Sequence, residues 1–198
     1  MKKNYFACLV GACALLLSSL AMPFVATAQP ADENLVLTLK SGDVVIKLRP
    51  DLAPEHVKRI EKLANEGAYD HVIFHRVIDG FMAQTGDVKF GKKGSSTYQK
   101  DYAGMGGSAY PNLKAEFSST PFKRGTVGMA RSQDLNSANS QFFICFADAP
   151  FLNGQYTVVG EVVKGMDFVD KIQKGDKTRN GSVENPDEII KARIVKGK

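Results

Sequence analysis

Residues 74–87 read FHRVIDGFMAQTGD, a stretch that sets one guanidinium, Arg76, among apolar side chains, with Phe81, Met82 and Gln84 close behind it. No carboxylate pair, Ser–His dyad or metal cluster stands beside them. Such a set has no obvious means of shuttling a proton. It offers greasy side chains, one amide and a donor that stays charged at any relevant pH. The bland alternative for a strand arginine is a stem packed on the surface with its head in water.

The other residues that could carry chemistry are few. His71 and His75 are four apart, which on a strand is about 13 Å at ~3.3 Å per residue, too far to share a metal by spacing alone. His56 falls on the early turns of an expected helix. Gly104-Met105-Gly106-Gly107 resembles a phosphate loop only weakly, because no strand-to-helix context surrounds it. The spacing therefore indicates no metal and no cofactor.

Several elements must position Arg76. Alternation over Val72–Ile78 predicts a strand with Val72, Phe74, Arg76 and Ile78 on one face. Asp79-Gly80 is a tight-turn dipeptide between two strands. Leu35, Leu37 and Leu39, then Val44, Ile46 and Leu48, alternate about the Ser41-Gly42-Asp43 turn and predict a hairpin. Pro54 and Glu55 suit a first helical turn, and Val57, Ile60, Leu63 and Ala64 form an apolar stripe, so a helix is expected over 54–66 with Gly67 past its end. Residues 125–130, 141–146, 157–163 and 189–195 read as further strands, and Met166, Val169 and Ile172 as one face of a second helix. Residues 91–111 are Gly- and Ser-rich without periodicity, a long loop of the kind that usually serves function or moves. Many strands and two helices predict a mainly β domain, a closed or nearly closed barrel with helices at its openings.

The bulk properties place this domain. Met1-Lys2-Lys3-Asn4, the apolar run from Tyr5 to about Leu20, and Ala26-Thr27-Ala28 read as a secretory signal over residues 1–28, cleaved before Gln29. Pro23 and the small residues around it argue against a membrane anchor. A lipobox-like Val10-Gly11-Ala12-Cys13 would leave a strongly apolar stretch beyond the lipidated cysteine. Residues 29–198 are then one domain, exported and most simply periplasmic. Cys8 and Cys13 leave with the signal, so Cys145 has no partner for a disulfide within the mature chain, and its strand context suggests a small buried hydrophobe. The net charge of +5 loses Lys2 and Lys3 on cleavage and becomes +3. That mild, scattered excess does not suggest nucleic-acid binding.

FHRVIDGFMAQTGD resembles the signature of the cyclophilins, the peptidyl-prolyl isomerases. GTVGMARSQDLNSANSQFFI (125–144) and PFLNGQYTVVGEVVKGMDFVDKI (150–172) are similar to the second and third blocks of that family, and NLVLTLKSGDVVIKL (34–48) to its opening hairpin. The blocks run in family order over nearly all of the expected mature chain, with proportions most like the bacterial exported members. The resemblance implies a closed eight-stranded antiparallel barrel capped by two helices, acting on proline-containing polypeptides without a cofactor; a monomer is expected, though the sequence does not fix the oligomeric state. It implies that Arg76, with Phe81 and Gln84, acts on the substrate. It also implies a proline pocket at Phe81, Met82, Phe143 and Leu152, a substrate-receiving strand edge at Ala130 and Arg131, and a groove at Gln141. Arg131, Phe151 and Tyr156 stand where familiar eukaryotic members have asparagine, tryptophan and histidine, and because Phe151 lacks the indole donor, weakened cyclosporin binding is expected. The rivals are a non-catalytic proline-peptide-binding module or chaperone on the same fold, and a hollow barrel carrying a small apolar ligand.

Overall fold

The computed structural model describes residues 33–197, together with Met1. The signal and lipobox readings and the cleavage before Gln29 lie outside the described residues.

Strands β1 (Glu33–Leu39) and β2 (Gly42–Leu48) form the expected hairpin, with Leu35, Leu37, Val44, Ile46 and Leu48 turned into the core. Helix α1 (Pro54–Asn65) follows with Pro54 in its first turn and buries Val57, Ile60, Leu63 and Ala64. Its Ala53 cap offers no side-chain acceptor. The Glu116 carboxylate does that work, accepting from the backbone N–H groups of Glu55 and His56 at 3.3 and 3.1 Å and lying 2.6 Å from His56 Nδ1. A negative group at a helix N-terminus satisfies its orphan donors and complements its dipole.

Then come β3 (Val72–Ile73), β4 (Arg76–Ile78), β5 (Met82–Thr85), β6 (Thr126–Met129), β7 (Phe142–Cys145), β8 (Val158–Lys164), the short helix α2 (Met166–Asp170), β9 (Glu188–Ile189) and β10 (Lys191–Lys196). Eight of the strands form one antiparallel sheet in the order β10-β1-β2-β8-β6-β7-β5-β4. The sheet curls around Leu37, Ile46, Val127, Phe142, Ile144 and Phe146, which share one core with the buried face of α1. Large side chains occupy this interior, which removes the hollow barrel that an apolar-ligand carrier requires. The alternate residues of β7, Phe143 and Cys145, turn the other way and join Met82, Phe122 and Leu152 in a second cluster. Cys145 is buried, and burial pushes its thiol pKa up to about 12, in keeping with a packing role.

Two expectations need correction. The barrel is not closed. The edge strands β10 and β4 do not pair, and the sheet is a half-barrel. The strands that precede the two edges in the chain, β9 and β3, pair with each other as a separate two-residue ribbon. The outer edge of β4 is taken by a loop, through Val77 N–H to Gly181 O at 2.8 Å and Gly175 N–H to Val77 O at 2.9 Å.

The second correction concerns Val72–Ile78, which is two strands and not one. At the break Phe74 N–H donates to Asp187 O and His75 O accepts from Val183 N–H. Alternation is lost there: Phe74 and Val77 both enter the main core, while Ile78 packs on the second cluster. The break turns Arg76 away from the main core.

Candidate active site

The second cluster is the floor of an open pocket of about 410 Å³. Met82 on β5, Phe143 on β7 and Leu152 on a single helical turn (Pro150–Leu152) are almost wholly buried there. Phe81 and Phe151 form one wall, their ring centroids 5.3 Å apart, and Phe151 remains 62% exposed. Tyr156 meets Phe143 edge-on at 5.9 Å and also lines the pocket. Gly128 on β6 makes the floor possible. A Cβ there would lie 2.5 Å from the Phe143 ring and 2.6 Å from Phe122, whose rings stack at 5.8 Å.

Arg76 reaches over this apolar floor from β4, half-buried, and both sides of its guanidinium are held. Nη1 donates to Gln84 Oε1 at 3.1 Å and approaches Met82 Sδ at 3.9 Å. Nε donates to Asn180 O at 3.1 Å, and Nη2 to Asn180 Oδ1 at 3.0 Å. Of five N–H donors, one on Nη2 is left over among the described residues. Burial lowers the Arg76 pKa from the ordinary arginine value, with Tyr156 acting in the opposite direction. A guanidinium stays charged near neutrality regardless.

Gln84 is the first member of a chain of amides. Its Nε2 donates to Gln141 Oε1 at 2.9 Å, and Gln141 Nε2 donates to Gly104 O and Gly106 O at 2.9 and 2.7 Å. Because Gln141 faces two carbonyls with its NH2, the orientation of both amides is dictated. The far end is anchored by Asp87, which is fully buried. Its carboxylate accepts from the backbone N–H groups of Lys89, Phe90, Gly104 and Gly106 at 2.8–3.0 Å. The glycine-rich segment 104–107, only weakly like a phosphate loop in sequence, is thus a tie between a buried acid and the amide chain ending on Arg76.

The structure brings the site residues expected from the sequence into one place. Arg76, Phe81, Met82, Gln84 and Phe143 line the pocket, and so do Ala130, Arg131, Phe151, Leu152 and Tyr156. Gln141 lies in an adjoining pocket of about 200 Å³ that shares Gln84, Ala130 and Arg131 with the first. Sequence reasoning missed Gln155, which lines the main pocket, and Asn180. Asn180-Gly181 is a turn signal, and both residues have positive φ, 53° and 78°. The dipeptide predicts a turn but not what the turn touches. Among the described residues no cluster of three or more metal-ligating side chains occurs.

A curled antiparallel sheet with two helices, and an arginine held over an apolar pocket on its outer face, define the class of protein. The chain belongs to the cyclophilin type peptidyl-prolyl cis-trans isomerase family, which its residues 35–194 match. It is 65% identical over 178 residues to a probable peptidyl-prolyl cis-trans isomerase of Brucella suis, covering 89% of this chain and 90% of that one. It is 41% identical over 165 residues to peptidyl-prolyl cis-trans isomerase B of Escherichia coli, covering 78% and 94% of the two chains. Among solved structures, a cyclophilin type isomerase of Cryptosporidium parvum superposes with a TM-score of 0.70 at 25% identity, covering 84% of this chain and 99% of that one.

Proposed function

We propose that the pocket binds the proline ring of a polypeptide and that Arg76 catalyses rotation about the preceding peptide bond. Rotation must break C–N conjugation, a barrier of about 18–20 kcal/mol. In the twisted state the prolyl nitrogen becomes pyramidal and regains a lone pair. A hydrogen bond from a cation to that nitrogen stabilises the twisted state over both planar isomers, which is the differential binding that catalysis requires. The observation that carries this reading is the guanidinium itself: fixed by Gln84 and Asn180, set above Met82 and Phe143, with an Nη2–H left to donate. Its donors are aimed in advance, so little reorganisation is needed at the moment of reaction. No acid or base is called for, because no proton is transferred.

The export reading belongs to the same proposal. Residues 1–28 serve as a signal, and the domain assists the folding of exported proteins in an envelope compartment as a monomer without a cofactor. The A-x-A sequence before Gln29 supports this. Among the described residues no helix is long and apolar enough to cross a membrane. Intact mass of the exported protein tests the cleavage: a chain beginning at Gln29 supports it, and one beginning at a lipidated Cys13 refutes it. Turnover of an X–Pro tetrapeptide by wild type and Arg76→Ala tests the chemistry. The variant is expected to fold and to lose about 10²–10³ in kcat/KM, as for removal of one preorganised donor. A change of less than about threefold removes Arg76 from the mechanism.

A further inference from the structure

We infer that the groove selects proline peptides carrying a carboxylate side chain within two residues of the proline, and that Arg131 sets this preference. The inference rests on the isomerase reading above and names the substrates that such an isomerase favours. The main pocket and the adjoining one meet at Gln84, Ala130 and Arg131. A peptide with its proline in the first pocket and a neighbour in the second must therefore pass the Arg131 guanidinium. Among the described residues no aspartate or glutamate lines either pocket, while Arg131 lines both and Arg76 lines the first.

Arg131 differs from most arginines of this chain. Four of the seven, Arg49, Arg124, Arg179 and Arg193, hold carboxylates of the protein. Among the described residues Arg131 holds only neutral acceptors, donating from Nη1 to Ser132 O at 2.9 Å and from Nη2 to Gln155 O at 3.0 Å, with a longer contact from Nε to the same Gln155 oxygen at 3.4 Å. Its guanidinium lies over the Tyr156 ring, 4.4 Å from the centroid. The stack and the carbonyls fix the plane of the group without neutralising it, and each Nη keeps one N–H. A fixed, partly exposed guanidinium with two spare donors suits a carboxylate, which it can bind through both oxygens. A lysine side chain at the same place is repelled by Arg131 and Arg76 together.

The test is a set of matched X–Pro peptides carrying Glu, Gln or Lys at each of the two positions before and the two after the proline. Each is turned over by wild type, Arg131→Gln and Arg131→Lys. At one position or more, kcat/KM for Glu should exceed that for Gln by about two- to fivefold, the range reached by exposed ion pairs, and Lys should fall below Gln. The ratio should shrink at about 1 M salt, where the screening length is ~3 Å. It should fall to about one in Arg131→Gln and persist in part in Arg131→Lys. Equal turnover of Glu and Gln peptides at all four positions, or a preference that survives Arg131→Gln, overturns the inference alone. Failure of wild type to turn over even the Gln peptides overturns the isomerase reading as well. The salt dependence on wild type and the Arg131→Lys ratio keep the question decidable if Arg131→Gln does not fold.

Discussion

Arg76 and Asn180 lie 104 residues apart in the chain and meet through two hydrogen bonds, Nε to Asn180 O and Nη2 to Asn180 Oδ1. The turn that carries Asn180 is strapped to β4 itself, since Gly181 O accepts from Val77 N–H and Gly175 N–H donates to Val77 O. The arginine and its support are thereby positioned by the same strand. Asn180 sits at a φ of 53°, where asparagine is tolerated and most side chains are strained.

That geometry makes Asn180→Gly the informative substitution, since glycine adopts the left-handed conformation freely. It removes the Oδ1 acceptor and leaves the backbone one. The expected result is a drop of about tenfold in kcat/KM, of the size that loss of a hydrogen bond to a charged group gives, with unfolding free energy changed by no more than about 1 kcal/mol. Peptide turnover beside urea denaturation checks this. Unchanged turnover would mean that Gln84 and the Asn180 carbonyl suffice to aim Arg76.

A second prediction concerns the tie behind Gln84. A Cβ on Gly106 would lie 2.5 Å from Asp87 Oδ1 and 2.9 Å from the Phe90 ring. Gly106→Ala must therefore displace either the buried carboxylate or the loop whose carbonyls hold Gln141. Overpacking of this kind costs about 1–3 kcal/mol. The melting temperature should fall, and kcat/KM should fall at a temperature where the variant is still folded. Loss of stability with full activity would sever the proposed link from Asp87 to Arg76.

What the sequence disclosed follows from how local each feature is. Arg76, Phe81, Met82 and Gln84 sit within one contiguous block, and β5 and its turn bring them together with little help from the rest of the chain. Phe143 and Leu152 were legible through the resemblance, and strand alternation independently separates Phe143 from Phe142 and Ile144. Asn180 was not legible, because its role depends on a loop docking on β4 from far along the chain. The break at Phe74–His75 was hidden for a related reason. The hydrophobic pattern runs through it unbroken, while backbone bonds to Asp187 and Val183 divert the chain. The same diversion produces the β3–β9 ribbon and leaves the sheet open where a closed barrel was expected.

The pH dependence separates rate from stability. His75 adjoins Arg76 and is buried. Burial depresses its pKa to about 4, against the opposing pull of Asp87 and with a smaller contribution from Arg76. The imidazole therefore stays neutral from pH 6 to 8, and no charge should appear beside the guanidinium in that range. The expected rate profile is flat there, and a bell shape would reveal an acid or base in the mechanism. For stability, the unfolded histidine binds a proton below about 6.5 and the folded one only below about 4. Stability should fall as pH drops through that window, by roughly 2–3 kcal/mol from this group. Glu61 acts oppositely. Burial and the nearby Glu33 raise its pKa to about 7, so its contribution falls as pH rises from the ordinary carboxylate range toward 7. Denaturation of wild type, His75→Gln and Glu61→Gln between pH 4.5 and 7.5 resolves the two. Curves that run parallel for wild type and His75→Gln would contradict the assignment to His75.

The last prediction rests on Phe151. The family resemblance leads to the expectation of cyclosporin binding, with an indole N–H at this position donating to the drug in eukaryotic members. Here the ring is 62% exposed and leans on Phe81, so it keeps an apolar face at the pocket rim but has no donor. A neutral hydrogen bond contributes about 0.5–1.5 kcal/mol net, and a buried acceptor left without one costs about 1–3 kcal/mol. At about 1.4 kcal/mol per tenfold, binding should be weaker by roughly ten- to a hundredfold than in a tryptophan-bearing member. Phe151→Trp should tighten the Kd for the drug. It should change kcat/KM for a short X–Pro peptide only slightly, because Met82, Phe143 and Leu152 form the floor of the pocket without it. The exposed site gives an indole room to enter without repacking the core. Calorimetric titration of both proteins decides the matter. If the Kd does not change, the missing indole is not the cause of weak binding. The guanidinium of Arg131, stacked on Tyr156 in the same pocket lining, then becomes the group to substitute next.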